Sequence, residues 1–429
     1  MLLYRALTST ALAAYGPYAL LRSLAGGRRL GDVRGRLGWK PWPDLDGGVW
    51  IHAVSVGEVG VARNLLGALE RARPGCRAGV STTTAAGREL AERVFAGRAA
   101  VFAFPFDLAG AVERAMDQAR PGLVLLTETE IWPLFLERAE RRRVPVALVN
   151  GRLSEKSYRR YRRVPRFMRA TLARLSLLAM QTAEDARRAL DLGAPPERVV
   201  ITGNLKYDMP EPPLFPDAAR LRAAAAGRPI VAAGSTAEGE DALVLDAVAP
   251  LSPRPLLLLA PRRPERFDAA ARLCEARGLT VLRRSHPASR IAVPGSRPPD
   301  VYLLDSIGEL ASAYREAAVA FVGGSLVEKG GQNPIEAWAA GAAVVAGPHL
   351  ENFRDVAAAG EARGLLERAA DAAGLTRALA VRLAAPERTR AAGAEAARFV
   401  AENRGAADRT AAAALALLAA APPARGRAS

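Results

Sequence analysis

The chain predicts an α/β protein made of two doubly wound halves, and three observations lead there. From residue 48 onward, short β-rich apolar runs alternate with longer amphipathic stretches, the pattern of parallel sheets with crossover helices. That alternation stops once, at a proline-rich stretch, and then restarts. Half of the 429 residues are hydrophobic, so a sizeable core is available and the length suits two or more domains.

The chain opens with "LTSTALAAYGPYALL" (Leu7 to Leu21), uncharged and mostly apolar. Arg5 precedes it, and Arg22, Arg28, Arg29, Arg34, Arg36 and Lys40 follow. The run is shorter than the roughly 20 residues that cross a bilayer comfortably, although residues 1–26 reach that length with Arg5 snorkelling. A cleaved signal peptide is the rival, because "TALAA" resembles a small-residue cleavage site. Its charge would stand ahead of the apolar run, whereas here most of it stands behind. Residues 1–26 therefore read as an uncleaved anchor or an interfacial helix, with the downstream chain kept on the cytoplasmic side.

The first half carries the runs "VWIHAVSV" (49–56), "RAGVST" (77–82), "AAVFAF" (99–104), "GLVLLT" (122–127), "PVALVN" (145–150), "LSLLAM" (175–180) and "RVVITG" (198–203). Between them lie helical patterns such as "ARNLLGALERA". "DMPEPPLFPD" (208–217), with four prolines in ten residues, cannot be a regular element and reads as a linker. The second half follows with "PIVAAGS" (229–235), "PLLLLAP" (255–261), "GLTVLRR" (278–284), "DVYLLD" (300–305), "AAVAFVGGS" (317–325) and "AAVVAGP" (342–348). The tail, about 387–421, is Ala- and Arg-rich and helical, without the heptad anchors of a coiled coil. The expected domains are thus 27–209 and 210–421, the second including the C-terminal helices.

Lys and Arg number 60 against 44 Asp and Glu, a net charge of +16. Such an excess suits an anionic partner, or simply an arginine-rich coding bias. The sequence has no helix-turn-helix, zinc-finger or aromatic-interleaved basic motif, which argues against nucleic acid. Cys76 and Cys274 stand far apart, and His52, His286 and His349 lack metal-ligand spacing. A disulfide framework and a zinc enzyme are not expected, and a reducing compartment fits.

Ligands of doubly wound sheets sit beyond the carboxyl ends of the strands, so the residues there come first. Glu58 stands where "WIHAVSVG" gives way to a helix. One reading is an acid stabilised by the helix dipole; the other is a general base whose pKa burial raises again. Glu128 and Glu130 in "LLTETEIWP" share one side if that stretch stays extended. They are either two solvated loop acids, or one of them supports a transition state or fixes a sugar hydroxyl. Lys206 in "TGNLKYD" is a candidate to neutralise a phosphate. In "FVGGSLVEKGGQNPIEA", Gly323, Gly324 and Ser325 end a strand, Asn333 suits an N-cap and Pro334 the first helical position. Glycines permit close backbone approach to a ligand, and Glu336 is placed to accept ribose hydroxyls. "GSTAEGED" (234–241) adds hydroxyls, and Arg262, Arg263 and Arg266 in "APRRPERF" add positive charge.

Taken in order, "HAVSVGE", "STTTAAG", "FPFD", "TETEIWP", "NGRLSEKSYRRY", "TGNLKYD", "AGSTAEGE", "APRRPERF", "LLDSIGELASAYREA" and "GGSLVEKGGQNPIEA" resemble the 3-deoxy-D-manno-octulosonic acid (Kdo) transferases of lipopolysaccharide synthesis. The resemblance spans about residues 30 to 360. It implies a GT-B glycosyltransferase fold, two Rossmann-like domains facing a cleft, the first binding acceptor and the second CMP-Kdo. The implied reaction moves Kdo from CMP-Kdo to the tetraacylated lipid A precursor, with inversion and without metal or cofactor, at the cytoplasmic face of the inner membrane. Glu58 is similar to the family's catalytic base, and Glu128 and Lys206 to its transition-state supports. For the donor, the resemblance implies Pro261, Arg262, Ile307, Gly308, Glu309, Asn333, Pro334, Ile335 and Glu336, with Gly323, Gly324 and Ser325 on the same wall. The chain departs from common family residues at Leu134, Ala237 and Arg263. The anionic, membrane-embedded acceptor would give the basic charge and the N-terminal segment a purpose. Rival readings are another GT-B enzyme, such as a UDP-sugar transferase or epimerase, and a membrane-anchored scaffold with a degenerate site.

Overall fold

The computed structural model of the chain describes residues 33–286 and 297–420. The expected anchor at residues 1–26 lies outside the described residues. Among those described, no helix is long and apolar enough to cross a membrane. The chain divides into two compact units, Met1–Asp208 with Asn403–Ser429, and Met209–Glu402.

In the first unit, the seven apolar runs become β1 (Val49–His52), β2 (Ala78–Thr82), β3 (Ala100–Ala103), β4 (Leu123–Thr127), β5 (Val146–Gly151), β6 (Leu177–Met180) and β7 (Val199–Ile201). They form one parallel sheet in the order β3-β2-β1-β4-β5-β6-β7. Strand pleating sends successive residues to opposite faces. Val49 and Ile51 accordingly enter one core with Val59, Leu65 and Leu66. Trp50, between them, enters the other with Phe104 and Phe135. Helices cover both faces of the central strands, which is why β1, β4 and β5 read as continuous apolar runs rather than alternating ones.

In the second unit, β8 (Ile230–Thr236), β9 (Leu256–Pro261), β10 (Val281–Arg283), β11 (Val301–Leu303), β12 (Val319–Val322), β13 (Ala343–Ala346) and β14 (Leu366–Arg368) form a parallel sheet. Its order is β10-β11-β9-β8-β12-β13-β14. β14 was not among the expected strands, because "LLERA" looks like a helix continuation; only Leu366 of its three residues is buried.

The prolines at 208–217 interrupt regular structure as expected, and the passage between units falls at Asp208. The tail differs from the expectation. It breaks at Gly405, whose φ of +86° ends helical geometry, into helices Pro386–Glu402 and Ala406–Ala420. The second of these does not stay with residues 210–402. It belongs to the first unit, where Ala406, Ala407, Ala411 and Ala414 pack in the core that holds Val59 and Leu66.

Candidate functional site

Strand order decides where a ligand can sit. In the first sheet the chain winds outward from β1 in both directions, so β1 and β4 flank the point where the order reverses. Glu58 follows β1 and Glu128 follows β4. Helix Val56–Ala72 begins one residue after Ser55, which makes Ser55-x-x-Glu58 a capping-box spacing. The Glu58 carboxylate turns back on the strand end, accepting the Val54 N–H at 3.0 Å and the Ser55 hydroxyl at 2.9 Å.

A cap would stop there. Glu58 is instead only 7% exposed and has a third partner, Thr127, at 2.7 Å from the neighbouring strand. Thr127 Oγ1 also lies 2.8 Å from the His52 carbonyl. One hydroxyl proton serves only one acceptor. Given to Glu58, it supports the carboxylate; given to His52, it leaves room for a proton on Glu58. The arrangement therefore accommodates both protonation states. Burial first, and then the charge of Glu128, push the Glu58 carboxyl above its ordinary range, against the pull of its three hydrogen bonds.

The structure brings Glu128 and Lys206 together with this group. Glu128 has a φ of +56°, so the chain turns immediately after β4 and the extended alternation expected for Glu128 and Glu130 does not occur. The Glu128 N–H donates to the Val149 carbonyl at 2.9 Å, and its carboxylate pairs with Lys206 Nζ at 3.0 Å. At Glu130, the other acid of the pair, burial and the nearby Glu58 charge push the carboxyl up to about 7. Thr127 was passed over as the last residue of an apolar run. Only its cross-strand contact identifies it, and sequence does not show that contact.

The donor residues of the second unit follow three strands of its sheet, β11, β9 and β12. Pro261 ends β9 and is buried; the next residue, Arg262, is exposed and anchored through its backbone N–H to the Thr236 carbonyl at 3.0 Å. The charge of Arg266 is already engaged within the unit, since it donates to the Thr236 carbonyl at 2.6 Å and pairs with Asp241. Ile307 is 69% exposed beside Gly308 at φ +87°. Glu309 is held by Arg284 at 2.9 and 3.1 Å. Asn333 caps helix Pro334–Ala339 through the Ile335 N–H at 3.1 Å, as expected; Pro334 and Ile335 are buried and Glu336 is half-buried.

Gly323, Gly324 and Ser325 follow the end of β12, as expected. Successive backbone N–H groups at such a turn make an anion cradle, but a carboxylate of the chain fills it. Glu240, fully buried, accepts from Gly324, from Ser325 at 2.8 Å and from Leu326 at 2.8 Å, as well as from Ala237 at 2.8 Å. The Ser325 side chain is interior, donating to the Val322 carbonyl and accepting the Gly347 N–H at 2.8 Å. Gly323 is small because β8 passes against it: a Cβ there would lie 2.6 Å from the Ser235 carbonyl oxygen. These three residues build the wall without presenting free donors on it. Beside the same loop, Lys329, Gly330, His349 and Asn352 line an open depression of about 650 Å³, which the sequence reading did not single out.

Known proteins carry the comparison further. Residues 29–209 match the family model described as 3-deoxy-D-manno-octulosonic-acid transferase (kdotransferase). The chain is 41% identical over 350 residues to a 3-deoxy-D-manno-octulosonic acid transferase of Bordetella pertussis, covering 79% of this chain and 80% of that one. It is 35% identical over 368 residues to the Haemophilus influenzae protein of the same name, covering 84% and 85%. Among solved structures, the glycotransferase of kitacinnamycin superposes with a TM-score of 0.52 at 16% identity, covering 89% of this chain and all of that one. That likeness speaks for a shared GT-B fold.

Proposed function

This chain belongs to the Kdo transferase family and is a glycosyltransferase, and from that premise we propose that it transfers Kdo from CMP-Kdo to the tetraacylated lipid A precursor, with inversion and with Glu58 as general base. The observation that carries this reading is the state of Glu58: a buried carboxyl with raised proton affinity beside an intact Glu128–Lys206 pair.

In the proposed step, an acceptor hydroxyl gives its proton to Glu58 while its oxygen attacks the anomeric carbon of Kdo. The bond from that carbon to the phosphate oxygen breaks, and CMP leaves as an anion. Raised affinity suits Glu58 to the task, because a base works best with a pKa near the operating pH. Lys206, held against Glu128, offers positive charge to the developing negative charge of the transition state. The first unit is proposed to hold the acceptor and the second the donor. There, exposed Arg262, which makes no ion pair among the described residues, would meet the phosphate, and the exposed face of Ile307 and Gly308 the nucleotide. Net charge of +16 favours residence at an anionic inner-membrane surface on the cytoplasmic side, with residues 1–26 as the anchor.

The test supplies CMP-Kdo, generated in situ, and the tetraacyl lipid A precursor to the purified protein, then reads CMP release and lipid mass. A gain of one or more Kdo units is the expected result. No gain with CMP still bound would point to another acceptor, and no CMP binding would end the donor assignment. In the same assay Glu58→Ala is expected to lose turnover and keep CMP binding.

A further inference from the structure

The short turn that carries Lys206 is held by an unusual number of side-chain amides. Leu205 and Tyr207 bound a single 3-10 turn, which has little intrinsic stability. Its first backbone N–H, that of Leu205, donates to Asn150 Oδ1 at 3.0 Å. The Leu205 carbonyl accepts from Asn64 Nδ2 at 2.8 Å. The Lys206 N–H itself donates to Asn204 Oδ1 at 3.0 Å. The Leu205 side chain is fully buried in the core beneath.

The two outer amides come from the elements that carry the other reacting groups. Asn64 lies on helix Val56–Ala72, six residues after Glu58. Asn150 is the penultimate residue of β5, next to Val149, whose carbonyl holds the Glu128 N–H. Asn150 is fully buried in left-handed geometry, φ +52°, and its Nδ2 finds no partner among the described residues. A strained backbone and an unpaired buried donor cost free energy that packing does not require. Turning the amide over would set its NH2 against the Leu205 N–H, so the observed orientation is fixed by that one contact.

We infer that Asn64 and Asn150 are positioning residues: by gripping Leu205 from both sides they lock the Lys206 ammonium onto Glu128 in register with the helix that bears Glu58. The inference rests on the role proposed for Lys206 and adds the device that sets its geometry. Misplacing a reacting group by about 1 Å can cost on the order of 100-fold in rate. Binding of donor, which needs none of these groups, would be untouched.

The experiment compares Asn64→Ala, Asn150→Gly, Asn150→Asp and Lys206→Ala in the full chain, measuring kcat, KM for CMP-Kdo, CMP affinity and melting temperature. Alanine is a better helix former than asparagine, so Asn64→Ala keeps its helix. Glycine accepts the left-handed backbone of Asn150, and aspartate keeps both that backbone and the acceptor. The expected result is a fall in kcat of about tenfold or more for Asn64→Ala and Asn150→Gly, with KM, CMP affinity and melting temperature held. Asn150→Asp should recover most of the loss. Wild-type kcat in both Asn64→Ala and Asn150→Gly, with Lys206→Ala slow, would overturn the inference and leave the Lys206 role standing. Wild-type kcat in Lys206→Ala would remove both. Loss of kcat that tracks loss of melting temperature, with no recovery in Asn150→Asp, would also overturn it, since that is what a packing role predicts.

Discussion

Glu58 answers to two environments at once, and their balance sets what substitution should do. The helix start and three hydrogen bonds favour its carboxylate, while burial and Glu128 favour the acid; the second set wins, so the group is poised to gain and lose a proton. Glu58→Gln keeps shape and most contacts but cannot take a proton. Turnover is expected to fall by roughly 100- to 10,000-fold with CMP affinity unchanged, measured by steady-state kinetics and calorimetry. Glu128→Gln removes a charge that raises Glu58, so the acid limb of the kcat profile should move to lower pH. Glu130 carries a different prediction. Its pKa in the folded chain is about 7 against an ordinary 4.5. Below 4.5 it is neutral folded or unfolded and costs nothing; between 4.5 and 7 the folded state alone holds the proton; above 7 the folded state bears a buried charge. The stabilising influence of that proton is thus lost as pH rises through 7. Glu130→Gln should therefore raise the midpoint of denaturant unfolding at pH 8, and the gain should vanish at pH 4.

At the scale of elements, most of the architecture was legible and the electrostatics of the loops were not. All thirteen expected strands form; in the central ones, such as β1, β4, β5 and β12, burial on both faces writes a run of apolar residues that needs no partner to be read. β14 has the sequence Leu-Glu-Arg, whose two charged residues leave no such run. The N-cap at Asn333 was legible because capping is local, within three residues. The glycine-rich turn reads as a place where backbone approaches a ligand closely, and geometrically it is an anion cradle. Its occupant, Glu240, lies 84 residues upstream of Gly324, and no local pattern announces such a contact. This turn and the turn after β8 meet where the second sheet reverses its order, so Glu240 ties together the two loops that flank the switch point. Glu240→Ala leaves the buried N–H groups of Gly324 and Ser325 without partners, each costing on the order of 1–3 kcal/mol, and frees the half-buried Leu326 N–H as well. Gly323→Ala drives a methyl into the Ser235 carbonyl and should cost about 1–3 kcal/mol as an overpacked site. Both should lower the thermal midpoint of the second unit and weaken CMP binding together, read by differential scanning calorimetry with and without CMP. A wild-type melting curve with loss of CMP binding alone would instead make Gly323 a ligand contact.

At the scale of the whole molecule, the first unit is completed by the last described helix. Sequence could not show this, because the tail is so rich in alanine that its buried face looks like its exposed one. Alanine is what the position needs: Ala406, Ala407, Ala411 and Ala414 let helix Ala406–Ala420 approach helix Val56–Ala72 closely. The join is pinned at its start, where the Asp208 carboxylate accepts the Gly405 and Ala407 N–H groups at 2.5 Å, and Arg409 donates to the Thr202 carbonyl at 3.0 Å. Thr202 and Asp208 bracket the turn of Lys206, and Leu205 shares its core with Ala406 and Ala407. The C-terminal helix thus props the turn proposed to serve the reaction, from a point about 200 residues away in sequence. Ala411→Glu places a charge against the helix that begins at Glu58, at a site only 1% exposed, and an unpaired buried charge is among the most destabilising single changes. The expected outcome is a lowered transition for the first unit, turnover lost at temperatures where CMP still binds, and early protease cleavage near Gly405. Since Met209–Glu402 forms its own compact unit, the transition protected by CMP should stay where it is. A single transition that falls as one, with CMP affinity lost in step, would mean that the two units unfold together and that the helix supports both.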